Sequence, residues 1–120
     1  MPALITPIRK RAHFEAARKS GREAATAGFI VQALPMEEVP GMLVGYTVSR
    51  KVGNAVMRNR VKRRLRALVR LLLPERGKPQ TAYVFIGRKA AIDRPYEKLE
   101  ADFKFAFHSL NGTARDRQKT

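Results

Sequence analysis

Residues 42–70 read MLVGYTVSRKVGNAVMRNRVKRRLRALVR, and the way this stretch divides decides the fold. Residues 42–49, MLVGYTVS, are rich in β-branched and aromatic side chains and predict a strand. Beyond Asn54 the period changes. Met57, Val61, Leu65, Leu68 and Leu72 recur at spacings of four, four, three and four, one apolar stripe of an amphipathic helix over 54–72. PERGKP at 74–79 supplies two prolines and a glycine to stop it, and TAYVFIG at 81–87 predicts the next strand. Strand, helix, strand is a βαβ unit, whose strands run parallel.

Outward from this unit, GFIVQAL at 28–34 predicts another strand, joined to 42–49 by the loop PMEEVPG at 35–41. A first helix is expected from Ile8 to Lys19, with Ile8, Ala12, Phe14 and Ala17 inward and Gly21 as a left-handed stop. A closing helix follows Pro95, with Tyr96, Leu99, Phe103, Ala106, Phe107 and Leu110 on its apolar face. Phe105 falls on its polar side, where the pattern gives it no task. The expected fold class is α+β, a two-layer sandwich in the order α-β-β(-β)-α-β-α with a small mixed sheet. Residues 8–110 are read as one domain, 1–7 as a loosely held start and 111–120, NGTARDRQKT, as a disordered tail without apolar content.

Of the 120 residues 44% are hydrophobic, enough for a modest core and too many for wholesale disorder. The charge is the anomaly. Lys and Arg number 25 against 10 Asp and Glu, a net +15 whose self-repulsion makes sense beside a polyanion. Nucleic acid leads, ahead of an anionic membrane surface or an acidic protein. With no cysteine, disulfides and thiolate metal sites are excluded. No apolar run approaches the roughly eighteen residues that span a bilayer, and the N-terminus lacks a secretory pattern, so a cytoplasmic protein without membrane contact is expected.

Much of the charge sits on one element. Residues 49–70 carry nine Lys or Arg and no acid. On a helical wheel Asn59, Lys62, Arg63, Arg66 and Arg70 oppose the apolar stripe, with Arg58, Arg60 and Arg64 on the flanks. Like charges at Lys62/Arg66 and Arg66/Arg70 repel, with no acid nearby to relieve them. Phosphates would relieve them, and arginine suits planar, bidentate phosphate recognition better than lysine. Gly53 and Asn54 at the helix start read either as an anion cradle of free backbone N–H groups or as a plain turn and N-cap.

VSRKVGNAVMRNRVKRRLR closely resembles the signature of the bacterial ribonuclease P protein family: an Arg-Asn-Arg triplet, here Arg58, Asn59 and Arg60, on a basic helix after a strand and a Gly-Asn turn. Ile8, Phe14, GFIV, VGYTVS and GRKAA fall in the family's order, so the likeness covers about residues 8 to 108. The resemblance implies a left-handed crossover between the strands at 42–49 and 81–87, against the usual right-handed rule. It implies a basic helix docked on a large catalytic RNA, with Lys51, Asn54, Arg58, Asn59, Arg60, Lys62, Arg63 and Arg66 facing that RNA. It also implies a cleft between the first helix and the sheet that holds the single-stranded 5′ leader of precursor tRNA, where aromatic rings stack on unpaired bases. Phe14 matches one aromatic position; Arg18 and Gln32 stand at two others, and Arg88 and Lys89 match a basic pair. The family role is a subunit of an endoribonuclease whose RNA carries out the hydrolysis with Mg²⁺ that the RNA mainly binds.

The polypeptide itself shows no constellation for catalysis. His13 and His108 stand alone, Glu37 and Glu38 lie in a loop, and Asp93, Glu97, Glu100 and Asp102 read as helix-start and surface acids. No carboxylate cluster suits a pair of Mg²⁺ ions, so no catalytic or metal-ligating residue is expected. Two rival functions use the same charge: a structural rRNA-binding protein of ribosomal type, and an autonomous nuclease.

Overall fold

The computed structural model describes residues 4–119 and the side chains of 4–111. Along the chain come β1 (Ile5–Pro7), α1 (Arg11–Ser20), β2 (Arg22–Ala25), β3 (Phe29–Pro35), β4 (Met42–Thr47), α2 (Ala55–Arg76), β5 (Thr81–Gly87) and α3 (Tyr96–Lys119). Short 3₁₀ helices at Arg50–Val52 and Lys89–Ile92 lead into and away from the βαβ unit. The five strands form one mixed sheet in the order β1-β4-β5-β3-β2. β4 and β5 run parallel with Tyr46 beside Phe85, and β3 pairs antiparallel with β5. The fold is α+β, as the sequence predicts.

β5 is the central strand, and its alternating side chains divide the core. Tyr83 and Phe85 face α2 and α3, packing with Val61, Leu65, Leu68, Phe103 and Phe107. Ala82 and Val84 face α1 across a smaller cluster with Ile8 and Ala17. The main core is aromatic. The Phe103 and Phe107 rings stack with their centres 4.5 Å apart and their planes nearly parallel, and Phe85 stacks on Phe103 at 5.7 Å. Two layers therefore describe the α2/α3 side, while α1 covers only part of the opposite face and leaves the rest open.

Several local expectations are corrected. Ile5–Pro7, read as loosely held, form an edge strand parallel to β4, and the Ile8 N–H continues that pairing to the Val44 carbonyl at 2.9 Å. Ile8 is consequently buried just ahead of α1, and Ala12 is exposed. Gly21 is extended (φ −72°, ψ 151°), not left-handed, because the chain passes at once into β2. Pro74 lies inside α2: it forfeits one N–H, but buried Leu72 and Leu73 hold the turn, and the helix ends at Gly77. Met57 leaves the predicted stripe. It is 42% exposed and folds back toward Gly53, where an added Cβ would come within 2.7 Å of the Met57 sulfur. Gly53 itself has φ +154°, which a side chain would strain. The backbone of 111–119, read as a tail, continues α3; Thr120 and residues 1–3 lie outside the described residues.

Candidate nucleic-acid interface

α2 begins at an N-cap. Asn54 is extended (φ −72°, ψ 179°), and its Oδ1 accepts the Met57 N–H at 3.0 Å, so the Gly53–Asn54 pair is a turn and cap. From there the buried stripe pins α2 to the sheet and turns the basic face outward. Asn59, Arg63, Arg66 and Arg70 are exposed, Arg58 and Lys62 half-buried, and Lys51 is exposed in the preceding 3₁₀ helix. Among the described residues the ion pairs are Arg11–Glu15 and Arg94–Asp102, so no basic group of α2 has an acid partner. The Arg58 Nε is shielded from solvent and has no partner among the described residues.

Two arginines of this helix are engaged by the protein itself. Arg64 donates from Nη1 to the Ala91 carbonyl at 2.7 Å and from Nη2 to the Arg94 carbonyl at 2.6 Å. Arg60 donates from Nε to the Ile92 carbonyl at 2.8 Å. Burial, aided by the neighbouring Arg60 charge, pushes the Arg64 guanidinium below its usual range. Together they clamp the Lys89–Ile92 turn onto α2. Arg94 then pairs bidentately with Asp102 of α3, at 2.7 and 3.0 Å, and fixes the start of the closing helix. Arg60, expected to face RNA, thus has its Nε occupied and its outer nitrogens left for a ligand.

On the opposite face of the sheet, α1 and the strands enclose a cleft of about 290 Å³. Phe14, Arg18 and Gln32 all line it, so three predicted residues from two distant segments meet there. The register explains how. Arg11, Phe14, Glu15 and Arg18 follow helical spacing along one side of α1, and Val84 and Ile86 alternate on the same face of β5. Gly45 of β4 lets the Phe14 ring lie on the backbone; a Cβ there would stand 2.4 Å from the ring. The Gln32 side chain is buried and donates from Nε2 to Glu23 on β2 at 3.1 Å, which fixes its amide. At the mouth Arg11 pairs with Glu15 at 3.2 Å. Arg88 and Lys89 do not line the cleft. They are exposed beyond β5, where Arg88 donates from Nη1 to the Thr26 carbonyl at 3.0 Å.

Sequence reading missed Arg11, Glu15, Thr47, Val84 and Ile86 in this cleft. The helical spacing around Phe14 would have given the first two, and strand alternation the last two. Among the described residues no group of His, Cys, Asp or Glu is arranged to hold a metal, and no helix is long and apolar enough to cross a membrane.

Fold and surfaces define a class: a small α+β protein with a strongly cationic crossover helix on one side of its sheet and a cleft lined by Phe14 on the other. The family model for ribonuclease P matches residues 6–111. The ribonuclease P protein component of Ruegeria pomeroyi is 44% identical over 110 residues, covering 89% of this chain and 87% of that protein. That of Bacillus cereus is 35% identical over 100 residues, covering 83% and 86%. Among solved structures, the Staphylococcus aureus RNase P protein aligns with a TM-score of 0.75 at 26% identity, covering 87% of this chain and 94% of that one. The Thermotoga maritima RNase P protein shares the fold, with a TM-score of 0.69 at 23% identity and coverage of 81% and 90%. The chain belongs to the ribonuclease P protein component family, and with it to tRNA processing.

Proposed function

We propose that the chain is the protein subunit of a ribonuclease P holoenzyme, gripping the catalytic RNA with α2 and the 5′ leader of precursor tRNA in the Phe14 cleft. One observation carries this reading: the cationic helix and the Phe14 cleft occupy opposite faces of one sheet, so two RNA segments have separate seats. The exposed cations of α2 neutralise phosphates and release their counterions. In the cleft the Phe14 ring offers a stacking face, Arg18 a cation and Gln32 an amide, a set suited to an unpaired strand. Arg88 and Lys89, outside the cleft, are proposed as phosphate contacts to either RNA.

The polypeptide's part in the reaction is to bind, orient and screen charge. Mg²⁺ would supply the metal-assisted hydrolysis on the RNA. Among the described residues no cluster of carboxylates is arranged to hold it, and two of the acids, Glu15 and Asp102, are paired with Arg11 and Arg94. By lowering repulsion between phosphates, the protein would let the RNA fill its metal sites at lower Mg²⁺. The proposed setting is the cytoplasm, where tRNA precursors are made. The rival reading as a ribosomal-type rRNA binder gains nothing from the cleft and runs against the family membership.

Reconstitution tests the proposal. The protein is mixed with a bacterial ribonuclease P RNA at low Mg²⁺ and supplied with precursor tRNA. Stimulated cleavage at the mature 5′ end is expected. Rates equal to RNA alone would refute the proposal, and cleavage by protein alone would mark an autonomous nuclease.

A further inference from the structure

The sheet has a second open region, on the α2 side. α2 packs over β4 and β5 but stops short of the edge strand β1, leaving a trough of about 410 Å³ between them. Ile5, Val44 and Val69 give it apolar walls, and Tyr46 lies among them. Arg66 and Arg70, one turn apart, form its rim, and among the described residues no carboxylate lines it. The Arg66 guanidinium lies 5.6 Å from the centre of the Tyr46 ring. The wheel assigns both arginines wholly to solvent, yet here they lean over an apolar slot. Such a slot suits a ligand with a flat apolar face and an attached anion.

Resting on the reading of α2 as an RNA-binding helix, we propose that this trough holds one unpaired nucleotide of the same RNA, its base against Tyr46 and its phosphate on Arg70. Continuity supports the choice, since Arg66 belongs both to the outward cationic face and to the trough rim. Charge supports it as well: two cations without an acid select an anionic ligand. A peptide strand added to β1 fits less well, because that edge is three residues long and Pro7 has no N–H to offer. Burial raises the Tyr46 pKa although Arg66 and Arg70 oppose it, so the hydroxyl stays a neutral donor near pH 7.

The test uses the full chain and a bacterial ribonuclease P RNA, comparing wild type with Tyr46→Leu, Arg70→Gln and Arg63→Ala. Tyr46→Leu keeps an apolar side chain against Phe85, on which the Tyr46 ring stacks at 6.0 Å, and removes the aromatic face; Arg70→Gln alters an exposed side chain. Each is expected to weaken RNA binding about five-fold or more, and ultraviolet cross-linking is expected to leave a nucleotide adduct on Tyr46. If both variants bind like wild type while Arg63→Ala binds less, the trough is no nucleotide site and the α2 reading stands. A trough that serves a peptide gives that same result. If wild type itself fails to bind the RNA, the α2 reading falls and takes this proposal with it.

Discussion

Adjacent arginines on α2 should behave oppositely when removed. Arg64 gives its two strongest hydrogen bonds to the Ala91 and Arg94 carbonyls, at 2.7 and 2.6 Å. A bond from a charged donor contributes about 1.5–3 kcal/mol when buried, but Arg64 is half-exposed and water can replace part of it. About 1 kcal/mol for each of the two bonds gives a loss of about 2 kcal/mol for Arg64→Ala. With a urea slope of about 1–3 kcal/mol per molar, the unfolding midpoint should fall by about 1 M. Arg63 is exposed and makes no hydrogen bond among the described residues, so Arg63→Ala should leave the stability within about 0.5 kcal/mol of wild type. RNA binding should reverse the order. Arg63→Ala should cut the logarithmic salt slope by about 0.7–0.9, and Arg64→Ala should leave it unchanged. Urea melts followed by circular dichroism, with binding titrations at several salt concentrations, read both quantities. An Arg64→Ala protein with wild-type stability and a reduced salt slope would refute the assignment of Arg64 to the protein.

Phe14→Ala should weaken binding of precursor tRNA to the holoenzyme by about five-fold or more while sparing mature tRNA; equal losses would remove the leader from the cleft. Gly45→Ala should mimic it without deleting the ring, because the new methyl displaces Phe14. The same ratio of precursor to mature tRNA affinity reads that effect. Asp102→Ala strands Arg94, whose side chain is 25% exposed, and should cost about 2–4 kcal/mol in a urea melt with little change in RNA affinity once folded. Tyr46 and Tyr83 should ionise above the ordinary tyrosine range, both raised by burial. A raised pKa for an acid means that the unfolded chain ionises first. Stability from these groups is therefore complete below about pH 10 and declines as pH rises beyond it. An ultraviolet-monitored alkaline titration beside urea melts checks both statements.

What the sequence made legible was whatever depended on period. The strand at 42–49, the helix after Asn54 and the strand at 81–87 each carry a clean repeat, and together they fix the parallel pair at the centre of the sheet. β1 and β2 were missed because short edge strands carry little apolar pattern: Ile5–Pro7 and Arg22–Ala25 are held by backbone pairing to a neighbour. The end of α2 was misplaced because proline is only a local signal, and two buried leucines outweighed it. Within the site, Phe14, Arg18 and Gln32 came from family resemblance; no spacing rule joins a helix at 14–18 to a strand at 32. The clamping task of Arg60 and Arg64 was invisible, since it depends on carbonyls about thirty residues away that only the fold brings near. Phe105 is 63% exposed, and nothing among the described residues explains it.

The central claim is that α2 presents its cations to a ribozyme. Its most direct test is the affinity of the chain for a bacterial ribonuclease P RNA as salt is raised, for wild type and for a Lys62→Ala, Arg63→Ala, Arg66→Ala triple variant. If about six basic side chains meet phosphates, the wild-type logarithmic slope should lie between about −4 and −5.5, and the triple variant should lose about half of it. A flat wild-type slope, or a triple variant that binds with undiminished affinity, would contradict the account.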